Sequence, residues 1–194
     1  MKSKIVESLS YTVEVTDKAG KLLKRISAPS RSYCKGWNQV ISRYAGVPAT
    51  VQNTAGVNKS LNNSSALFLA CNAAAGAIDI GIRIGKGSTA VTISDYKLES
   101  ACAQGTGVDQ FQHLVVTFTE PSVDGSTISH TIKRVAVNNS GADIEGIREI
   151  GCYNRFYTTA TAEVMLGFRD VLPASLTIPD GGAITVTYTL RVTV

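Results

Sequence analysis

The chain has 194 residues, of which 18% are charged and 44% are hydrophobic, and its formal net charge is +4. This length suits one domain with a real core, and no apolar run approaches the roughly 18 residues of a membrane-spanning helix. Lys and Arg form no run with interleaved aromatics, which argues against specific nucleic-acid binding. We therefore expect a single domain over residues 1–194 that has neither a membrane nor a nucleic acid as its partner.

The beginning of the chain predicts an arm and a hairpin. Residues 1–8 are polar and are expected to form an N-terminal arm. Residues 10–17 alternate apolar and polar side chains, which is typical of a half-buried strand. A turn that ends at Gly20 then leads into a returning strand over residues 21–27.

The apolar period then changes to that of a helix, and the residues of its buried stripe are Tyr33, Trp37, Val40, Ile41 and Tyr44. This spacing predicts one amphipathic helix near residues 31–45. Ser30 or Ser32 is expected to cap its start, and Gly46 its end.

Residues 47–65 show no period and predict a long loop or a mobile hairpin. The loop nevertheless carries four spaced aliphatic residues, which are Val47, Val51, Val57 and Leu61. A loop that lies on a neighbouring subunit could bury them, at roughly 1.5 to 3 kcal/mol for each complete burial. We therefore predict that these four residues contribute to a subunit interface.

The rest of the chain is a succession of short strands and glycine-rich turns. Strands are expected over residues 66–71, 78–84, 114–120, 127–137, 144–153, 162–172 and 184–194. The last is the clearest, because Ile184 to Val194 alternates apolar and polar residues to its end. About ten strands and one helix indicate a mainly β fold, an antiparallel β-sandwich for which a jelly roll is one topology.

The residues that could carry chemistry form no recognisable site. His113 and His130 are the only histidines, and neither has the spacing of a metal ligand. A pair of Cys102 with His113 lacks an orienting third group, and they are better interpreted as ordinary strand residues. The acidic residues Asp143, Glu145 and Glu149 are expected on a solvated or interface-facing side of a strand. We predict no catalytic residue, no cofactor and no metal.

The four cysteines are Cys34, Cys71, Cys102 and Cys152. Their spacings fit no zinc site, and the N-terminus lacks the apolar segment of a secretion signal. We therefore expect four free thiols in a protein that is made in the cytoplasm.

Five blocks of the chain resemble virion structural proteins of tailed phages. They are Gly85–Glu99 (G-x-G-x-T-A-V-T-x-x-D-Y-x-L-E), Asn139–Ile144, Glu149–Tyr153 (E-I-G-x-Y), Arg169–Leu172 (R-D-V-L) and the Thr-rich Thr185–Thr189. The resemblance implies a component of the virion, in the head, the head–tail connection or the tail. Its implied partners are copies of itself, as a homo-oligomer, and other virion proteins. The Arg169–Asp170 pair is expected to pin a strand end.

A low-charge, hydroxyl-rich composition suits a subunit whose faces are covered by neighbours, although β-rich proteins also favour Thr. Our leading hypothesis is a non-enzymatic virion structural protein, made in the host cytoplasm. The alternative is a carbohydrate- or receptor-binding β-sandwich module, which would use exposed aromatics such as Tyr153, Phe156 and Tyr157. A third class would be a small hydrolase, but the sequence shows no arrangement of catalytic residues that supports it.

Overall fold

The computed structural model of the chain describes residues 6–30, 32–61, 69–158 and 160–194. In these ranges the protein is mainly β, as predicted, with a single helix, α1 (Lys35–Tyr44). The strands are β1 (Val6–Thr16), β2 (Leu22–Pro29), β3 (Thr50–Gln52), β4 (Asn58–Ser60), β5 (Gly81–Gly85), β6 (Ala103–Gln104), β7 (Gln110–His113), β8 (Thr117–Phe118), β9 (Ser122–Asp124), β10 (Thr127–Val137), β11 (Ile144–Tyr157), β12 (Ala162–Ile178) and β13 (Ala183–Thr193).

The larger sheet, sheet A, has the strand order β2-β1-β13-β10-β7-β6, and β8 and β9 also pair with β10. Its pairs are antiparallel except for the parallel pair β6–β7. The three central strands, β1, β13 and β10, have 11 residues each and pair without interruption. The buried residues of β1 and β13 are all apolar, whereas β10 places Arg134 between Ile132 and Ala136 on the same buried face.

The smaller sheet, sheet B, has the order β12-β11-β5 and is antiparallel. It consists mainly of the long β11–β12 hairpin, whose register shifts between Ile144 and Ile147, between Ile147 and Glu149, and between Cys152 and Tyr153. Such bulges change which side chains point inward. This hairpin therefore departs from simple alternation, whereas the central strands of sheet A follow it.

The two sheets pack face to face around one core, which is the arrangement of a β-sandwich. The rings of Tyr188 on β13 and Phe168 on β12 lie 5.0 Å apart across it. Ile184, Val186 and Tyr188 are fully buried, while Leu190 is half-buried and Val194 is exposed beyond the end of β13. The predicted last strand is thus confirmed, and its burial is deepest in its first half.

Helix α1 lies on the outside of β12, where Trp37 packs against Tyr33 and Phe168. Its existence and position were predicted, but the predicted cap is wrong: Cys34 precedes the helix without a side-chain hydrogen bond. The predicted stripe is wrong in the last turn, where Ile41 and Tyr44 are exposed. The helix packs against β12 and β3, where Val40 is buried with Val51 and Met165, and this packing leaves Ile41 and Tyr44 uncovered.

Several strand boundaries differ from the expectations. Residues 6–8 of the predicted arm belong to β1, and residues 1–5 lie outside the described residues. Residues 66–68 of the predicted strand 66–71 also lie outside them. The predicted strand over residues 114–120 is reduced to β8, and the short strands β6, β7 and β9 were not predicted. No helix in the described ranges is long and apolar enough to cross a membrane.

The segment 47–65, predicted as a long loop or a mobile hairpin, contains the small β3–β4 hairpin, and its residues 62–65 lie outside the described part. The hairpin is tied to β12: the Thr54 N–H donates to the Val164 carbonyl at 3.0 Å, and Asn53 Nδ2 donates to Glu163 Oε2 at 2.8 Å. Lys59 also pairs with Glu163 at 3.0 Å. This hairpin therefore packs as part of the domain.

Candidate functional site

Arg169 on β12 is the centre of a dense ionic network, although its side chain is only 3% exposed. Its Nε donates to Glu149 Oε1 at 2.6 Å, and its Nη1 donates to Asp95 Oδ2 at 2.7 Å. Its Nη2 donates to the Thr89 carbonyl at 3.1 Å and lies 3.8 Å from Glu99 Oε2. We call Arg169, Glu149, Asp95 and Glu99 the Arg169 network.

The carboxylates of this network also bind the backbone of the long loop between β5 and β6. Glu149 is fully buried and accepts the N–H groups of Glu99, at 2.7 Å, and of Ser100, at 3.1 Å. Glu99 in turn accepts the N–H groups of Ser88 and Thr89, each at 2.9 Å. The network therefore holds both ends of a loop that forms neither strand nor helix.

Two glycines of the first block make room for these carboxylates. A Cβ atom on Gly85 would lie 2.5 Å from the Ser100 carbonyl oxygen, and one on Gly87 would lie 2.6 Å from Glu149 Oε2. Real Cβ atoms do not approach other atoms so closely, and backbone atoms cannot move aside at low cost. The G-x-G pattern is thus required by a close approach of the loop to β11.

We expect Gly85→Ala to lower the free energy of unfolding by about 1 to 3 kcal/mol, since the methyl group must displace the backbone at Ser100. Urea unfolding of the wild type and the variant measures the change. The control is Gly141→Ala, where the added Cβ meets open space and the cost is that of a left-handed backbone alone, about 1 to 2 kcal/mol. A thermally stable Gly85→Ala protein with an unchanged urea midpoint would contradict the close approach.

The pKa values in the network favour the charged forms. Burial opposes the charge of Arg169, but its hydrogen bonds to Glu149 and Asp95 outweigh burial and raise the pKa. Burial likewise opposes the charge of Asp95, yet hydrogen bonds from Thr92 and Arg169 lower its pKa. General acid–base catalysis needs pKa values near the working pH. The shifts move the pKa values of Arg169 and Asp95 away from neutral pH, so both groups stay charged. The network therefore acts as an electrostatic clamp on the loop between β5 and β6.

Neighbouring residues of the same blocks extend the clamp. The hydroxyl of Tyr153 accepts the Leu98 N–H at 2.7 Å. Asp170 accepts hydrogen bonds from the hydroxyls of Ser30, at 2.7 Å, and Tyr188, at 3.1 Å. Because Tyr188 is on β13, Asp170 links the two sheets through the core. The Asn139–Ile144 block lies apart, in the turn region where the Gly141 N–H donates to Asp180.

The structure corrects one expectation about the acidic residues. Asp143 and Glu145 are exposed as predicted, but Glu149, predicted on a solvated or interface-facing side, is fully buried. The register shift between Ile147 and Glu149 lets both Ile147 and Ile150 join the core, while Glu149 is covered by the loop between β5 and β6, whose Glu99 and Ser100 N–H groups it accepts. Bulges of this kind leave no reliable mark in a single sequence.

The structure does not support Cys102 and His113 as a catalytic dyad. Burial, followed by the charges of Arg134 and Arg83, lowers the pKa of His113 to about 3, and burial raises the pKa of Cys102 to about 11. Both shifts disfavour a thiolate beside an imidazolium. Cys102 is a free, buried thiol, as are Cys34, Cys71 and Cys152.

Arg134 is a second buried cation, and its role was not predicted. Its side chain donates to backbone carbonyls only: Nε to Leu114 at 2.8 Å, Nη1 to Ile82 at 3.1 Å, and Nη2 to Ala77 at 2.6 Å and Ala74 at 3.2 Å. One guanidinium therefore joins β10, β5 and the segment before β5. Over the described ranges, no group of three or more His, Cys, Asp or Glu side chains is arranged to hold a metal ion.

The predicted interface residues separate into two pairs. Val51 and Leu61 are buried inside the chain, in a cluster completed by Val40, Phe156 and Met165. Val47 and Val57 are exposed. Only these two therefore present apolar surface to a neighbour, and the interface in this segment stays a prediction.

The aromatics named for the alternative binding module are largely inside the domain. Tyr153 and Phe156 are buried, and Tyr157 is half-buried. They cannot form an exposed aromatic platform for a glycan in this conformation.

A scan against protein-family models finds no match, and comparisons with curated proteins and with solved structures find none either.

Proposed function

We propose that this chain is a non-enzymatic structural protein of a tailed-phage virion, which assembles by subunit packing in the head, the head–tail connection or the tail. One observation carries the proposal. Four of the five blocks that resemble such proteins, Gly85–Glu99, Glu149–Tyr153, Arg169–Leu172 and Thr185–Thr189, supply the groups of the Arg169 network and the Asp170 contacts. The resembling residues thus serve to shape and fix the domain, as expected of a particle subunit.

The outer face of sheet A supports the same proposal. It carries hydroxyl groups where most exposed sheets carry charges, and several of them bond to each other across strands. Thr12 bonds to Ser27 at 2.9 Å, and Thr127 bonds to Thr193 at 3.0 Å. A face with few charges loses little hydration energy when another subunit covers it.

The test is to purify particles from the phage that encodes the chain and to determine their proteins by mass spectrometry. We expect this chain in many copies per particle. Light scattering and electron microscopy of the isolated chain should show an oligomer. A chain that is absent from the particles contradicts the proposal, and saturable binding of a glycan by a monomer favours the alternative module.

A further inference from the structure

Two of the free strand edges of sheet A, those of β2 and β9, carry opposite charge. On one edge is β2, and among the described strands only β1 pairs with it. On the other side of the sheet, the start of β10 is covered by β9, which pairs with no other described strand. An unpaired strand edge presents free N–H and C=O groups that can pair with a second chain.

The β2 edge is basic. Lys18 and Lys21 stand in the preceding turn, and Lys24 and Arg25 stand on the strand, all of them exposed. Only Arg25 has a nearby acidic partner among the described ion pairs, Glu14 at 3.5 Å. The β9 edge is acidic, because Glu120 precedes β9 and Asp124 ends it, and both are exposed.

Both edges also expose aliphatic side chains. Leu23 on β2 is 52% exposed, and Val123 in the middle of β9 is 72% exposed. Lys and Arg on an edge strand prevent pairing with a like-charged edge. They do not prevent pairing with an acidic one, for which they are complementary.

We propose that β2 of one copy docks beside β9 of the next, so that sheet A continues from subunit to subunit. This inference rests on the proposed function and names the contact by which the particle subunit associates. Charge selects this pairing over the symmetric ones, since β2 against β2 would oppose Lys24 and Arg25 with themselves, and β9 against β9 would oppose Glu120 and Asp124.

The topology determines the geometry of this junction. β2 is antiparallel to β1, and β1 is antiparallel to β13, so β2 points in the same direction as β13. β9 is antiparallel to β10, and β10 is antiparallel to β13, so β9 also points in that direction. The junction between β2 and β9 is therefore parallel. β2 faces residues 10–16 of β1, whereas β9 faces residues 127–129 of β10, which lie in register with the opposite end of β1. Each copy is therefore displaced along the strands relative to the next. A contact between two different surfaces builds a ring or a helical array rather than a closed dimer.

The experiment uses two full-length variants with reversed edges. One carries Lys18→Glu, Lys21→Glu and Lys24→Glu, which leave three Glu against Arg25 on the β2 edge, and the other carries Glu120→Lys and Asp124→Lys. Each variant alone has two edges of like charge, and we expect its self-association to weaken at least about tenfold. In an equal mixture every junction again joins an acidic edge to a basic one, so the mixture should assemble as an alternating array. The matched control is Lys97→Glu, on the loop outside sheet B, which should assemble like the wild type.

The wild type supplies a second measurement that needs no variant. Its association should weaken as salt rises from about 0.05 to 0.5 M, because the contact between exposed charges is screened. The inference is overturned if the reversed variants assemble like the wild type, if their mixture stays dissociated, or if the wild type is monomeric. A wild type that is monomeric alone but present in particles overturns only this inference, whereas its absence from particles overturns the proposed function.

Discussion

Replacing Arg169 by Met is expected to lower the free energy of unfolding by about 3 to 5 kcal/mol, as found when one partner of a buried ion pair is removed. The physical reason is that Glu149 is fully buried and would lose its contact with the Arg169 guanidinium, at 2.6 Å, which leaves a buried carboxyl group without its cationic partner. Urea or thermal unfolding at neutral pH measures the loss. The loop that carries Asp95 and Glu99 should also exchange its amide hydrogens faster.

The control for this variant is Arg155→Met. Arg155 pairs with Asp79 at 3.1 Å on the surface, and such exposed pairs contribute about 0 to 1 kcal/mol. A second variant, Arg169→Met combined with Glu149→Leu, should regain part of the loss, because the fully buried carboxyl group of Glu149 is then removed together with its partner. If Arg169→Met costs no more than Arg155→Met, the Arg169 network does not hold the loop as described.

The second large effect is a loss of stability in mild acid that depends on His113. In the folded chain the pKa of His113 is lowered to about 3, first by burial and then by the charges of Arg134 and Arg83. In the unfolded chain the pKa of a histidine is about 6.5. Below pH 6.5 the unfolded chain therefore binds more protons than the folded chain. Stability is fully present above that pH and is lost as the pH falls toward 3.

This linkage amounts to about 1.4 kcal/mol per pH unit, or about 2 to 3 kcal/mol between pH 6.5 and 4.5. The measurement is the urea midpoint at several pH values across this window. His113→Gln should flatten the slope, whatever it does to stability at neutral pH. The control His130→Gln removes the histidine of β10 and should keep the slope. An equal slope in wild type and His113→Gln would refute the assignment.

Local patterns in the sequence determined much of the fold. The alternation in β1 and β13 and the helical spacing around Trp37 predicted the central strands and the helix correctly. This works because a strand with one buried face, or a helix with one buried stripe, must repeat its apolar residues with its own period. Arg169, Glu149, Gly85 and Gly87 all lie in the blocks that carry the resemblance, but the sequence did not predict their contacts with one another.

Only the tertiary structure decided what these residues do. Glu149 meets Arg169 across the β11–β12 pairing, in which Gly151 lies opposite Arg169. Asp95, which precedes Arg169 by 74 positions in the chain, binds the same guanidinium. Whether Val51 is free for a neighbour or buried under α1 likewise depends on how a hairpin folds back onto β12. Burial arises from contacts between segments that are distant in sequence. It determines the charge state of His113 and the requirement that Gly85 has no side chain. The local pattern of apolar and polar residues does not contain this information, because it depends only on residues that are close in sequence.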